Sequence, residues 1–262
     1  MSSGSVNFDV AADYYDGTRA EGPQTQARVM DLLRSELDGR GRCLEIGVGT
    51  GRVGLPLAGS GVPLVGVDIS PRMVARLVEK AGGTIPFPLA LADATALPFP
   101  EGAFGGALAA HVFHLIPPWR EALRELRRVV RPGGVLLVSL TGGRLDPLHE
   151  LRDRFVAAAG IERAHVGVRE PAELRAALEE LGAVARDLPP INEERPVRPE
   201  DVIGRFERGE FSWTWPIAEQ TRRRAADEVR RWAREAYGSL DVPRLTQRAV
   251  TWYAYDFPGR AP

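Results

Sequence analysis

The run Glu45-Ile46-Gly47-Val48-Gly49-Thr50-Gly51 carries the strongest chemical signal in the sequence. It follows a short apolar stretch, Cys43–Ile46, and precedes a short helical pattern, Val53–Ala58. Glycines there let the backbone turn tightly and approach a ligand without interference from Cβ. The helix behind them offers unpaired N–H groups at its positive end. A strand-to-helix turn that binds nothing is the competing reading, and three alternating glycines after a strand count against it. Gly49, Gly51 and Gly54 also fit the G-x-G-x-x-G spacing of dinucleotide sites. Asp68 stands 21 residues after Gly47, at the end of a second apolar stretch. A carboxylate so placed accepts hydrogen bonds from ribose hydroxyls. Glycines and acid together point to an adenosine with an intact ribose and leave the cofactor open.

Other residues could take part. Asp93-Ala94 ends a third apolar stretch, in position to meet an adenine edge. His114, three residues beyond His111, is a candidate general base. A partly buried histidine beside a strand is the reading favoured over it. His111 and His114 lack a carboxylate or thiol at metal-ligand spacing, so no metal is expected. Tyr14, Tyr15 and Arg19 could touch a cofactor or pack the N-terminal segment on the core. Trp213 and Trp215 read as anchors for nearby helices in preference to a substrate wall. Six arginines between Arg222 and Arg234 alternate with acids as Arg223–Asp227, Arg224–Glu228 and Arg231–Glu235. That is a solvated, self-paired helix face more readily than a nucleic-acid site.

The elements that must position these residues follow from periodicity. Thr25–Leu37 is helical, with Val29, Leu33 and Leu37 at four-residue spacing. Strands are expected at Cys43–Ile46, Val62–Val67, Phe87–Ala92, Ala107–Val112 and Val135–Leu140. Ser70 caps a helix that has Pro71 at its first position. Trp119, Leu123, Leu126 and Val130 mark another helix, which Arg131-Pro132-Gly133-Gly134 stops. Such alternation predicts an α/β domain with a parallel sheet and right-handed crossovers. Farther on, Leu148–Ala159, Ala172–Leu181, Glu200–Gly209 and Ile217–Gly238 read as helices. Val184–Arg198 reads as irregular or extended, and Thr246–Phe257 as one strand. The helices at 199–240 read as an insertion between two late strands of one sheet.

Composition bounds the possibilities. The chain has 262 residues, 44% of them hydrophobic, enough for one large core. A net charge of -1 gives no overall field to attract nucleic acid. The single cysteine, Cys43, excludes a disulfide framework. Lys80 is the only lysine among 34 basic residues, as a GC-rich genome would give. With no signal pattern and no apolar run of membrane length, a soluble cytoplasmic protein is expected.

In combination, Glu-x-Gly-x-Gly-x-Gly from Glu45, Asp68-Ile69-Ser70-Pro71-x-Met73, Asp93-Ala94-x-x-Leu97-Pro98-Phe99 and Arg131-Pro132-Gly133-Gly134 resemble the class I S-adenosylmethionine-dependent methyltransferases of the small-molecule type. The resemblance runs from about Val6 to Leu140, with a weaker match at the end. It implies a Rossmann-like three-layer α/β sandwich with a mostly parallel seven-stranded sheet, its last strand antiparallel, and an inserted helical cap. It divides the chain into an arm and cofactor-binding core at 1–144, a cap helix at 145–169, core again at 170–198, a helical cap insertion at 199–244, and a final core strand at 245–262. Gly47, Gly49 and Gly51 would line the methionine and ribose parts of S-adenosylmethionine, with Glu45 near its ammonium group. Asp68 would take the ribose diol, Ile69 and Met73 would flank the adenine, and Asp93 and Ala94 would meet its edge. His111 would sit beside the methionine moiety, and Tyr14 or Tyr15 with Arg19 would close over the cofactor carboxylate. The partner implied is a small-molecule methyl acceptor, chosen by the cap. One departure stands out: Phe104-Gly105-Gly106 replaces the family's Phe-Asp. A nicotinamide-dependent oxidoreductase and a non-catalytic adenosylmethionine-binding module are the alternatives.

Overall fold

The computed structural model describes residues 4–19, 21–140, 148–162 and 166–259. A single helical turn at Asp9–Ala11 leads into α1 (Tyr15–Arg19) and α2 (Pro23–Leu37). Then come β1 (Cys43–Ile46), α3 (Gly54–Gly59), β2 (Leu64–Asp68), α4 (Pro71–Lys80), β3 (Leu89–Leu91), β4 (Phe104–Ala110), α5 (Trp119–Val129) and β5 (Val130–Ser139). The later elements are α6 (His149–Ala159), α7 (Pro171–Glu180), β6 (Val184–Asp187), β7 (Ile191–Val197), α8 (Pro199–Arg208), α9 (Glu219–Tyr237), β8 (Arg244–Val250) and β9 (Tyr253–Asp256). The chain divides into two compact units. One comprises Met1–Thr141, His165–Ile191 and Thr251–Pro262, the other Gly142–Ala164 and Asn192–Val250.

The first unit is built on a seven-stranded sheet in the order β3-β2-β1-β4-β5-β9-β6. β1 to β5 pair in parallel, and β9 runs antiparallel to both β5 and β6. β1 and β2 are buried along their whole length, as strands covered on both faces are, and read as apolar runs interrupted by Glu45 within β1 and ended by Asp68 in β2. α5 buries Trp119, Leu123, Leu126 and Val129 in the same core. α4 begins as expected, with Ser70 Oγ accepting the Met73 N–H at 3.1 Å. The strand order reverses between β1 and β4, and their carboxyl ends therefore open a crevice there.

Two late segments differ from expectation. Thr246–Phe257 is not one strand: β8 pairs with β7 in a separate two-stranded sheet, and β9 joins the large one. The break falls at Thr251 and Trp252, where the Trp252 side chain is buried. A β-branched and aromatic run favours strand throughout, so composition does not reveal where it changes sheets. Val184–Arg198 holds two strands, β6 and β7; β6 lies at the sheet edge and has no continuously apolar face to announce it.

Close packing explains Phe104-Gly105-Gly106. A Cβ at Gly105 would lie 1.7 Å from the Arg40 carbonyl oxygen, and one at Gly106 2.7 Å from Leu37 Cδ2. Arg131 Nη2 donates to that same Arg40 carbonyl at 3.0 Å. The segment after α2 thus runs so close to β4 that a side chain at 105 cannot fit. Gly105→Ala is expected to lower the unfolding free energy by roughly 2 kcal/mol or more, because backbone must move to admit the methyl group. Urea unfolding would measure it, and a loss below about 0.5 kcal/mol would contradict the packing.

In the second unit, α6, α8 and α9 pack around Leu151, Phe155, Ile203, Phe206 and Val229. Trp213 is an anchor there, its ring 5.5 Å from Phe206 and 5.9 Å from Phe155. Trp215 Nε1 donates to the Gly209 carbonyl at 3.0 Å. The arginine face of α9 is not the simple self-paired stripe that spacing suggested. Arg230 keeps Asp227 of its own helix at 3.2 Å but also reaches Glu200 at 2.8 Å and Glu207 at 2.6 Å on α8. Arg222 donates to the Glu207 carbonyl, and Arg223 pairs back to Glu219 instead of Asp227. A flank packed against a neighbouring helix redirects long side chains toward it.

Candidate cofactor site

The chemistry-bearing residues of the first unit gather at the carboxyl ends of β1, β2, β3 and β4. Gly47, Gly49 and Gly51 have φ of 64°, 55° and 75°, which L side chains rarely adopt. A Cβ on Gly47 would come within 2.7 Å of Val112, and one on Gly51 within 2.8 Å of Leu55. Space and conformation both demand glycine. Met73, buried at the start of α4, places its Cε 3.3 Å from where a Gly49 Cβ would be.

Asp68 holds this loop in place. One carboxylate oxygen accepts the Gly49 N–H at 2.7 Å, the other the Ser70 N–H at 2.8 Å. Burial pushes its pKa up, while the amides of Ser70, Gly49 and Ile69 oppose the shift. Glu45 lies deeper, 1% exposed, and its Oε2 has no hydrogen-bond partner. Burial pushes its carboxyl up to about 8; the Arg52 charge opposes this and Asp68 adds to it.

Asp93 follows β3 and stands beside Asp68, whose carbonyl takes the Ala92 N–H at 2.9 Å. Its Oδ1 accepts the Thr95 N–H and hydroxyl, closing a turn through Ala94. His111 follows β4 with φ 56°, the one positive φ outside glycine among the described residues. Strain of this kind gathers at functional sites. Its N–H donates to the Ser139 carbonyl at 2.8 Å, and the adjoining Val112 packs on Gly47. His114 is half-buried on the helical turn Phe113–Leu115. Gly167 approaches that turn closely, and the Val168 N–H donates to the Phe113 carbonyl at 3.2 Å.

Tyr15 packs edge-on against Phe8, ring centroids 5.9 Å apart. Tyr14 lies on the turn before α1. Arg19 closes α1, and its side chain lies outside the described residues. Sequence reasoning missed the acids around them. Asp16 accepts from the Thr50 hydroxyl and from Lys80 Nζ, each at 2.6 Å. Asp9 accepts from the Ser70 hydroxyl at 2.5 Å, which holds its carboxyl below the usual range. Glu21 pairs with Arg52 at 3.1 Å. Only the helical spacing of Asp9, Asp13 and Asp16 in the sequence could have hinted at them.

A loop of positive-φ glycines over a buried acid, at the reversal point of such a sheet, also occurs in dinucleotide-binding folds, but those are parallel through the sixth strand. Here β9 intervenes antiparallel between β5 and β6. Comparison with known proteins agrees. Residues 44–138 match the methyltransferase domain family. The chain belongs to the class I S-adenosylmethionine-dependent methyltransferases. It is similar to a demethylmenaquinone methyltransferase of Thermus thermophilus, 41% identical over 102 residues, which are 37% of this chain and 46% of that one. It is 30% identical over 180 residues to a malonyl-[acyl-carrier protein] O-methyltransferase of Geobacter sulfurreducens, 66% of each chain. The chain spans about half the length of most of the curated methyltransferases it matches. In fold it resembles the structure of a type II methyltransferase, so described as putative in its own name, from Anaeromyxobacter dehalogenans. That match has a TM-score of 0.63 at 22% identity, covering 92% of this chain and 99% of the other. The [4+2]-cyclase SpnF has the same fold, with a TM-score of 0.58 at 19% identity over 96% and 94% of the two chains.

Proposed function

We propose that this chain binds S-adenosylmethionine and transfers its sulfonium methyl group to a small-molecule acceptor. The observation that carries the reading is the loop Gly47–Gly51 bound through Gly49 to Asp68, with the buried, unpartnered Glu45 oxygen beneath it. These residues fit the cofactor: a glycine cradle that any Cβ would fill, an acceptor for a ribose diol, and a carboxyl able to face a cationic amine. Gly47, Gly49 and Gly51 line the methionine and ribose moieties. Asp68 receives the ribose hydroxyls, Ile69 and Met73 flank the adenine, and Asp93 with the Ala94 N–H reads its edge. His111 and Tyr15 border the methionine end.

The cofactor supplies an activated methyl group and its leaving group together. The chain's residues have the remaining task of orienting the acceptor atom in line and excluding water. An acceptor that arrives protonated would need a base, for which His114 is the candidate. Acceptors named for the relatives, demethylmenaquinone, phosphatidylethanolamine and malonyl-[acyl-carrier protein], define the panel to try first.

Because the same fold serves a cyclase, turnover must be measured directly. Calorimetry should show micromolar binding of S-adenosylmethionine and S-adenosylhomocysteine and none of NAD. Isotope-labelled methyl transfer to the panel then tests catalysis. Binding of NAD alone would overturn the reading. Cofactor binding without turnover on a broad panel would favour a non-catalytic module.

A further inference from the structure

Beyond the glycine loop, the carboxyl edge of the sheet continues through β5 and β9, where register places the side chains. Ala110 is the partner of Ser139 in the β4–β5 ladder, and the His111 N–H donates to the Ser139 carbonyl at 2.8 Å. The β5–β9 ladder ends at Val138 and Tyr253, both packed in the core that α5 shares. Side chains alternate along a strand, so the next pair outward, Ser139 and Trp252, takes the opposite face. Leu44 and Ile46 lie on the α5 side too, which puts Glu45 on the face of Ser139 and Trp252. Because β9 runs antiparallel to β5, Trp252 at its start stands at the edge where the parallel strands end.

Along this edge Ala110 and Ser139 are small, and Trp252 is large. Trp252 is 2% exposed, and its Nε1–H meets no acceptor among the described residues. The Ser139 hydroxyl is spent elsewhere, donating to the Thr251 carbonyl at 3.0 Å. An enclosed indole N–H is usually paired, as that of Trp215 is to the Gly209 carbonyl, and one left unpaired destabilises the fold. The Trp252 backbone lies between β8 and β9, outside both strands, so the ring can turn without breaking a ladder hydrogen bond. Turning it toward a ligand oxygen above half-open Ala110 recovers the missing bond.

We propose that Trp252 is a specificity-determining residue for the methyl acceptor: its indole closes the far side of the acceptor's space, and its N–H donates to an acceptor oxygen. An indole is a donor only, so the ligand must present a lone pair there. The indole carries no charge, and Glu45 and Asp68 lie at the same edge, which favours a neutral carbonyl over a carboxylate. β4 and β9 are two strand spacings apart, so this carbonyl lies within about 10 Å of the atom methylated. The inference rests on the cofactor reading above and adds what the acceptor must carry.

The test follows the indole N–H resonance of Trp252 in isotope-labelled full-length protein saturated with S-adenosylhomocysteine. The probes are acetophenone, ethylbenzene, which lacks its oxygen, and benzoate. Acetophenone should move the proton downfield and slow its exchange with solvent, ethylbenzene should do neither, and benzoate should act more weakly. Trp252→Phe keeps a ring and removes the donor; it should weaken acetophenone binding roughly tenfold, the loss of one hydrogen bond. Its affinity for S-adenosylhomocysteine should stay within about twofold of wild type. If the variant does not fold, the wild-type resonance decides alone. A resonance unmoved by all three probes, an equal response to acetophenone and ethylbenzene, or a response to benzoate alone would overturn the assignment while leaving the cofactor reading standing. Failure of the wild-type protein to bind S-adenosylhomocysteine at all would remove both.

Discussion

Asp68→Ala is expected to weaken binding of S-adenosylmethionine and S-adenosylhomocysteine at least about a hundredfold, which corresponds to roughly 3 kcal/mol. Two losses combine. Charge-assisted hydrogen bonds to the ribose diol are worth about 1.5–3 kcal/mol each, and both would go. The Gly49 and Ser70 amides, now bonded to the carboxylate at 2.7 and 2.8 Å, would also be orphaned. Buried donors left unpaired pull the loop out of its cradle. Asp68→Asn should fare little better, because its amide nitrogen must face one of two N–H donors. Calorimetric titration of the three proteins measures the effect, with melting temperatures to separate loop damage from global unfolding. Binding by the Ala variant within about threefold of wild type would exclude Asp68 from the ribose site.

How much of this was legible before the structure can be argued from single residues. Gly47, Gly49, Gly51 and Asp68 announce themselves because a tight turn and a ribose each demand one residue type at one spacing. Their setting is legible for a related reason: strands buried on both faces, such as β1 and β2, are mostly apolar, so that the acids Glu45 and Asp68 stand out in them. Ser70 and Pro71 are local helix chemistry and need no tertiary information. What failed to show was long-range. Asp16 meets Thr50 and Lys80, 34 and 64 residues away, and nothing local marks an aspartate for such partners. The spacing of α9 offers its arginines acids on their own helix, and nothing in it shows that α8 brings Glu200 and Glu207 to Arg230 as well. Thr246–Phe257 hid a change of sheet because strand preference does not depend on which sheet receives the strand. Gly105 looked like a missing family mark until the Arg40 carbonyl was seen to occupy the place of its Cβ.

The buried Glu45 leads to the second large effect, on stability. Its carboxyl titrates near the ordinary 4.5 in the unfolded chain and at about 8 in the folded one. Between those values the folded state holds one proton more than the unfolded state. Stability contributed by the neutral carboxyl is therefore complete below about pH 4.5 and is lost as pH rises toward 8. The displacement corresponds to something on the order of 5 kcal/mol across the window. Among the described residues the Arg52 charge acts against it, and Asp68 acts with it, its own pKa also being raised by burial. Glu45→Gln keeps the shape and removes the titration. The variant should match wild type at the acid end and exceed it by several kcal/mol above about pH 8, as read by urea unfolding without ligand. The same substitution should cost cofactor affinity, because an amide cannot ionise to face a cationic amine. Wild-type binding should release a proton near neutrality, visible as a dependence of the calorimetric enthalpy on the buffer, and the Gln variant should release none. Identical pH profiles for the two proteins would contradict the burial argument. Divergent profiles with equal cofactor affinity would leave the buried carboxyl a liability for stability with no part in binding. The expected pairing, a stabler apoprotein that binds less well, identifies Glu45 as a residue kept for the ligand at the expense of the empty fold.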